Sequence, residues 1–326
     1  MSHAPVLAKE AVAALQPRDG GFYVDATFGG GGYTRAILEA ANCNVAAIDR
    51  DPDAIARGQD LVQAFAPRLR LVHGAFGDLG DYVSSADGVA LDIGVSSFQF
   101  DEAERGFSFQ QDGALDMRMA REGPSAADAV NKLSEEALAD LIYYYGEDDD
   151  SRRIARTIVQ TRAAAPITRT LALAAIVERA VGGRKGARIH PATKTFQALR
   201  MLVNDELAEL ARALNAAEQI LKPAGRLVVV AFHSLEDRLV KRFFFERAGE
   251  GGQGSRHFPD APSVRAPSFK LEQRRTITPS EAEIAANPRA RSASLRWALR
   301  TEAPAWPEAA LVELAPKARA EWSKIA

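Results

Sequence analysis

Three acids stand at the ends of successive apolar runs: Asp25, Asp49 and Asp92. The first opens the stretch Asp25-Ala-Thr-Phe-Gly-Gly-Gly-Gly32. Glycines in such a turn let the backbone approach a ligand closely and adopt positive φ. Asp49 lies 24 residues after Asp25, where an acid accepts hydrogen bonds from both hydroxyls of a ribose. Two adenosine cofactors compete for this pattern. A dinucleotide wants Gly-x-Gly-x-x-Gly, and here Gly29-x-Gly31 is followed by Thr34, so the third glycine is missing. S-adenosylmethionine (SAM) carries a sulfonium cation and no phosphate, so nearby carboxylates favour it. Asp49 serves either cofactor; the acids at three strand ends favour SAM. Phe76, after the third apolar run, is placed to lie against an adenine or to pack in the core.

The reacting end draws on two further stretches, Leu91-Asp-Ile-Gly-Val-Ser-Ser97 and Phe232-His-Ser-Leu-Glu-Asp237. Ser234 with Asp237 reads as a helix capping box. His233 ends an apolar run at the expected substrate edge, where an imidazole could accept a proton. The five histidines, His3, His73, His190, His233 and His257, have no metal-ligand spacing, so no metal is expected. The one cysteine, Cys43, precedes the second strand, at the sheet end opposite the site. Methylating carbon-5 of cytosine needs a thiolate nucleophile, so the acceptor is read as nitrogen or oxygen. A base in a structured RNA must be splayed out to reach a pocket. Phe98, Phe100 and Phe107 could stack that base or pin an insert to the core.

Positioning these groups requires a parallel sheet. Phe22–Ala26, Val45–Ile48, Leu69–His73 and Gly88–Ile93 read as strands, separated by helices at Thr34–Ala41 and from Asp51 to about Phe65. Asp51-Pro52 supplies an N-cap with proline at the first helical position. From about Asp112 to Glu206 no strand pattern occurs. Glu135–Tyr145, Ser151–Ala164 and Thr170–Val181 read as helices, and a Gly-rich basic loop (Gly182–Arg188) follows. One long amphipathic helix then carries Phe196, Leu199, Val203, Leu207, Leu210, Leu214 and Leu221 at 3.6-residue steps, until Pro223-Ala-Gly225 ends it. Arg226–Phe232 resumes the sheet. Glu250–Ser268 reads as a Gly/Pro/Ser-rich loop, Arg274–Ile277 with Ser292–Leu299 as a closing antiparallel pair, and the tail from Thr301 as a loose helix. The fold class is α/β: one doubly wound domain interrupted by a helical insert.

The chain has 326 residues, 47% of them hydrophobic, enough for a large core plus an insert. No apolar run approaches a membrane span and no signal peptide is evident, so no membrane association is expected. A single cysteine excludes a disulfide framework and points to the reducing cytoplasm. Net charge is -2, yet residues 151–200 hold eleven Lys/Arg against one acid, Glu178. That block is the footprint expected of phosphate contacts, the alternative being a solvated helical face partnered elsewhere in the fold.

Several stretches resemble the bacterial 16S ribosomal RNA cytosine-N4 methyltransferase family. They are His3-Ala-Pro-Val-Leu7, Asp25–Gly32, Ala47-Ile-Asp-Arg-Asp-Pro52, Leu91–Ser97, Glu104-Arg-Gly-Phe-Ser-Phe109, Leu115-Asp-Met-Arg-Met119, Thr195-Phe-Gln-Ala-Leu-Arg200, Phe232–Arg238 and Asn287-Pro-Arg-Ala-Arg-Ser292. The resemblance runs from about His3 to Arg300. It departs at Tyr33 (usually His), Phe98 (usually Pro) and Lys194 (commonly Arg).

The resemblance implies SAM-dependent methylation of the exocyclic amine of one cytidine in the decoding centre. It implies a Rossmann-like SAM-dependent methyltransferase sheet with helices on both faces, interrupted by an all-helical insert. The expected divisions are 1–111 and 207–300 for the methyltransferase domain, 112–206 for a basic, RNA-recognising insert, and 301–326 for a variable tail. Carried over by motif, the cofactor contacts fall on Gly31, Gly32, Tyr33, Asp49, Phe76, Asp92 and Gln99. Asp92, a loop carbonyl or His233 would polarise the amine. The expected partner is 16S rRNA within the small ribosomal subunit, and a homodimer is compatible with the chain.

Overall fold

A computed structural model of the chain describes residues 5–184, 186, 189–250, 265–307 and 314–326. His3, Lys185, Arg188, His257 and most of the Gly/Pro/Ser-rich stretch lie outside the described residues. In chain order the elements are α1 (Ala8–Leu15), β1 (Phe22–Asp25), α2 (Gly32–Ala40), β2 (Asn44–Asp49), α3 (Pro52–Arg57), α4 (Gln59–Ala64), β3 (Leu69–His73), α5 (Leu79–Tyr82), β4 (Ala86–Asp92), α6 (Ser97–Asp101), α7 (Ala126–Lys132), α8 (Glu135–Tyr144), α9 (Ser151–Arg162), α10 (Thr170–Ala180), α11 (Ala192–Val203), α12 (Glu206–Ile220), β5 (Leu221–Ala231), α13 (Ser234–Arg247), β6 (Phe269–Lys270), α14 (Glu281–Ala286), β7 (Ser294–Arg300) and α15 (Pro316–Trp322). They divide into two units. One comprises Met1–Gly94 with Leu207–Ala310, the other Val95–Glu206 with Leu311–Ala326.

The first unit is built on a seven-stranded sheet of order β3-β2-β1-β4-β5-β7-β6. The first five strands are parallel; β7 runs antiparallel to β5 and β6 antiparallel to β7. Because side chains alternate along a strand, each strand feeds two cores. Val24, Ile48, Leu91 and Val229 meet Leu210 and Leu214 of α12 and Phe243 of α13 on one face. Tyr23, Val45, Ala90 and Val228 meet Leu15 of α1 and Ile37 of α2 on the other. Each fully buried aliphatic side chain contributes about 1.5–3 kcal/mol. The strand order reverses between β1 and β4, which opens a crevice at their carboxyl ends, where such sheets bind ligands.

Several boundaries differ from the sequence reading, each for a local reason. The helix expected from Asp51 to Phe65 starts as read, with the Asp51 carboxylate accepting the Asp53 amide and Pro52 at N1. It breaks at Gly58, where a Cβ would lie 2.6 Å from Leu71 Cδ2 and 2.7 Å from the Phe28 ring. The long helix expected through Leu221 is two, α11 and α12, because Asp205 turns left-handed at φ +50°. Pro223-Ala-Gly225 does not end a helix; α12 stops at Ile220, and the tripeptide forms an irregularity in β5, where Ala86 pairs Leu221 and Gly88 next pairs Arg226. In the closing pair, β7 forms as expected, but its partners are β5 and Phe269–Lys270. The 274–277 segment contributes one bridge, Ile277 to Leu295.

The second unit contains α6–α11 and α15, and its one isolated bridge among the described residues joins Ala114 to Arg169. It begins at Val95, where the sequence reading placed the division at residue 112. Asn204, at the end of α11, accepts the Met119 amide at 2.9 Å and donates to the Met117 carbonyl at 2.8 Å. That fork, with Arg105 donating to the carbonyls of Arg118 and Met119, holds the Leu115–Met119 loop. The tail is not loose at its end: Glu321 on α15 accepts both the amide and the hydroxyl of Ser134, the cap of α8, at 2.8 and 2.7 Å.

Candidate cofactor site and reacting end

The turn leaving β1 is set by hydrogen bonds to carboxylates. Asp25 accepts the Thr27 amide at 3.2 Å on one oxygen and the Thr34 hydroxyl at 2.6 Å on the other. Asp49, closing β2, accepts the Gly29 amide at 2.7 Å and the Asp51 amide at 2.8 Å. Gly31 caps α2 at φ +75°, and a Cβ there would stand 2.8 Å from Leu61 Cδ2 and 2.9 Å from the Phe28 ring. At Gly32 a Cβ would meet the Pro5 ring at 2.8 Å. The glycines are therefore needed for close packing behind the turn, and the backbone is the surface offered to a ligand.

Tyr33 follows the glycine turn at the start of α2. Its ring is buried in the core and its hydroxyl donates to the Val6 carbonyl at 2.5 Å, so only its backbone remains for a cofactor. Phe76 opens a 3-10 turn after β3 and is half-buried against the core formed with α12.

Asp92 ends β4. Its amide donates to the Thr27 hydroxyl at 2.7 Å, which ties the carboxyl ends of β4 and β1 together. Its Oδ1 is buried and has no hydrogen-bond partner, though the residue keeps a little surface. Burial drives its pKa well above the usual carboxylate range, and the charges of Asp25 and Glu236 push it further. Asp25 is pushed up to about 6, chiefly by burial, with the Thr34 hydroxyl and Thr27 amide pulling back. Asp49 is also raised by burial, and the Asp51 and Gly29 amides oppose this. Among the described residues, neither Asp25 nor Asp92 has an ion-pair partner. Buried carboxyls lacking a cation suit a ligand that brings one.

His233 has a structural role at the end of β5. It is the N-cap of α13, with Nδ1 accepting the Glu236 amide at 3.4 Å. Its Nε2 stands 3.0 Å from Glu236 Oε1 without hydrogen-bond alignment, and the other Glu236 oxygen accepts the Phe232 amide at 2.9 Å. The first turn of α13 thus occupies Nδ1, while Nε2 is buried with no hydrogen-bond partner. The cap read at Ser234 lies one residue earlier, and Asp237 instead holds Arg296 in a two-pronged ion pair at 2.7 and 2.9 Å. Gln99 belongs to the second unit, where its side chain and Ser96 form the capping box of α6. Cys43 is buried just ahead of β2, at the amino end of that strand.

Thr27 and Glu236 were missed as organising residues. Thr27 had a signal: an Asp two residues before a turn amide is an Asx-turn. Glu236 had one too, since an acid at the third helical position reaches back to the chain entering the helix.

A doubly wound sheet with buried carboxyls at its switch point fits a Rossmann-like SAM-dependent methyltransferase. The family model described as the MraW methylase family matches residues 1–301. A relative from Hyphomonas neptunium, named ribosomal RNA small subunit methyltransferase H, is 61% identical over 308 residues, covering 93% of this chain and 90% of its own. One of the same name from Maricaulis maris is 55% identical over 327 residues, covering 98% of each. Solved structures align loosely: an rRNA methylase from Streptococcus thermophilus is 10% identical at a TM-score of 0.38, covering 90% of this chain and 94% of its own. The chain belongs to the MraW methylase family.

Proposed function

We propose that the protein transfers the methyl group of SAM to the exocyclic N4 of one cytidine in the decoding centre of 16S rRNA, within the small ribosomal subunit in the cytoplasm. The names of its relatives support the RNA, and the chemistry of the site supports the atom. The observation that carries the reading is the buried, unpartnered Oδ1 of Asp92 at the end of β4.

When bound, SAM supplies an electrophilic methyl on a sulfonium. The chain does the rest. The Gly29–Gly31 backbone and the remaining lone pairs of Asp49 hold the nucleoside, and Phe76 lies beside its adenine. The backbone at Gly32 and Tyr33 completes the contacts from this unit. Asp92 accepts a hydrogen bond from the cytidine amine, whose lone pair is otherwise conjugated with the ring. Localising that pair raises its nucleophilicity, and direct in-line transfer then needs mainly positioning. Nδ1 of His233 is engaged in the helix cap, and the carboxyl at the end of β4 takes the acceptor role in this reading.

The helical unit serves as the phosphate grip. Arg152, Arg153 and Arg156 lie exposed on α9, and Arg179 on α10. The block is less uniform than its composition: Arg153 pairs with Asp150, Arg156 with Glu135 at 3.4 Å and Arg169 with Asp112 at 2.9 Å. Arg200 is committed to Glu206 at 2.7 Å, and Arg162 donates to the Val130 carbonyl. No helix among the described residues is long and apolar enough to cross a membrane. Incubating small subunits and DNA with methyl-labelled SAM tests the reading: label should enter 16S rRNA, and label in DNA alone would refute it.

A further inference from the structure

The buried acids at the strand ends have a use beyond seating the cofactor. Methyl transfer to an amine removes one cation and releases one proton. The sulfonium becomes a neutral thioether, and the amine loses a proton as its nitrogen gains the methyl. A carboxyl close to both events must therefore meet a cation before transfer and a proton after it.

We propose that Asp92 is charge-coupled to the cofactor: it holds a proton in the empty site, releases it when the sulfonium is seated, and takes the amine's proton when transfer removes that cation. The balance closes. Before transfer the site holds a carboxylate, a sulfonium and a neutral amine. The N–C bond forms as the S–C bond breaks, its electron pair staying on sulfur, and the amine N–H proton passes to Asp92. Afterwards the site holds a carboxylic acid, a thioether and a neutral methylamine. The net charge is zero in both states, so no charge is stranded in a low-dielectric crevice. This rests on the assignment of Asp92 to the amine.

The geometry supports the coupling. Oδ1 of Asp92 is buried with no hydrogen-bond partner, and no ion pair among the described residues reaches this carboxyl. The charged or titratable groups facing it are Asp25 on β1, Glu236 on α13 and the Tyr33 phenol on α2. The two carboxyls disfavour a second anion, and the phenol is neutral, so nothing here substitutes for a cation. Glu236 is fixed by the Phe232 amide at 2.9 Å, and Asp25 by Thr27 and Thr34, so neither can swing away. His233, the N-cap of α13, has its Nε2 3.0 Å from Glu236 Oε1.

Calorimetry of the RNA-free protein in buffers of differing ionisation enthalpy tests this. SAM binding should release up to one proton, and its affinity should rise by up to about tenfold per pH unit below the Asp92 midpoint. S-adenosylhomocysteine, lacking the cation, should release far less. Asp92→Asn should abolish the difference. Glu236→Gln should keep it and move its midpoint to lower pH, which preserves the test if the Asp92 variant fails to fold. Equal proton release by the two nucleosides, or release that persists in Asp92→Asn, would overturn the proposal. Because RNA is absent, that result would leave the cytidine assignment to stand or fall on the methylation assays.

Discussion

The Asp49 carboxylate accepts the Gly29 amide at 2.7 Å, so the acid that closes β2 also fixes the turn that leaves β1. One residue shapes the loop and, in the proposed site, is also the one assigned to the ribose. Hydrogen bonds to a charged partner contribute about 1.5–3 kcal/mol each. Asp49→Ala, which also frees the Asp51 amide, should therefore lower the melting temperature and weaken SAM binding at least tenfold. Unchanged affinity by calorimetry would contradict this role.

Gly31 and Gly20 separate backbone strain from packing. Both have positive φ, +75° and +74°, but a Cβ at Gly20 meets nothing within 4 Å, whereas at Gly31 it meets Leu61 and Phe28. Left-handed backbone costs an ordinary residue about 1–2 kcal/mol. Gly20→Ala should show only that loss in denaturant titrations and keep SAM affinity. Gly31→Ala should lose more and bind SAM weakly. Equal losses in the two variants would remove the packing argument.

The sheet was legible because its strands are short apolar runs ending in Asp25, Asp49 and Asp92, and because Asp51-Pro52 is a strong helix start. The division of the long helix was not, since its apolar steps continue through a break made by the left-handed Asp205 and by the fork of Asn204 onto the Leu115–Met119 loop. Both are long-range effects that periodicity does not carry. In the site, residue types were readable while orientations were not. Tyr33 follows the glycine turn in sequence, yet its ring packs inward onto Val6. His233 sits at the right strand end, yet the first turn of α13 claims its imidazole.

Asp25 gives the fold a pH dependence. Its folded pKa of about 6 lies above the 3.8 of an ordinary aspartate. The folded state then holds more protons than the unfolded one in that interval, so stability falls as pH rises through it. The difference between the two values corresponds to about 3 kcal/mol. The stability contribution is present below the ordinary carboxylate range and is lost as pH passes about 6. Cofactor-free protein should unfold at lower urea concentration at neutral pH than at about pH 5, and Asp25→Asn should flatten the trend. A wild-type stability that rises across this interval would be inconsistent with the buried acid.

The α9 arginines offer a test of the RNA surface that leaves the cofactor alone. Arg152→Ala combined with Arg156→Ala should weaken binding of small-subunit RNA and reduce its log–log salt slope by about one for each phosphate no longer neutralised. SAM affinity should be unchanged. An unaltered slope would mean that α9 is a solvated face and that the phosphates are gripped elsewhere.

The most direct test is nucleoside mass mapping of 16S rRNA from cells with and without the active protein, using Asp92→Asn as the inactive form. The account predicts that one decoding-centre cytidine carries an N4-methyl mark only when the wild-type protein is present. A mark that is unaffected by its loss, or one that appears on carbon-5, on a ribose hydroxyl or on another base, would contradict it.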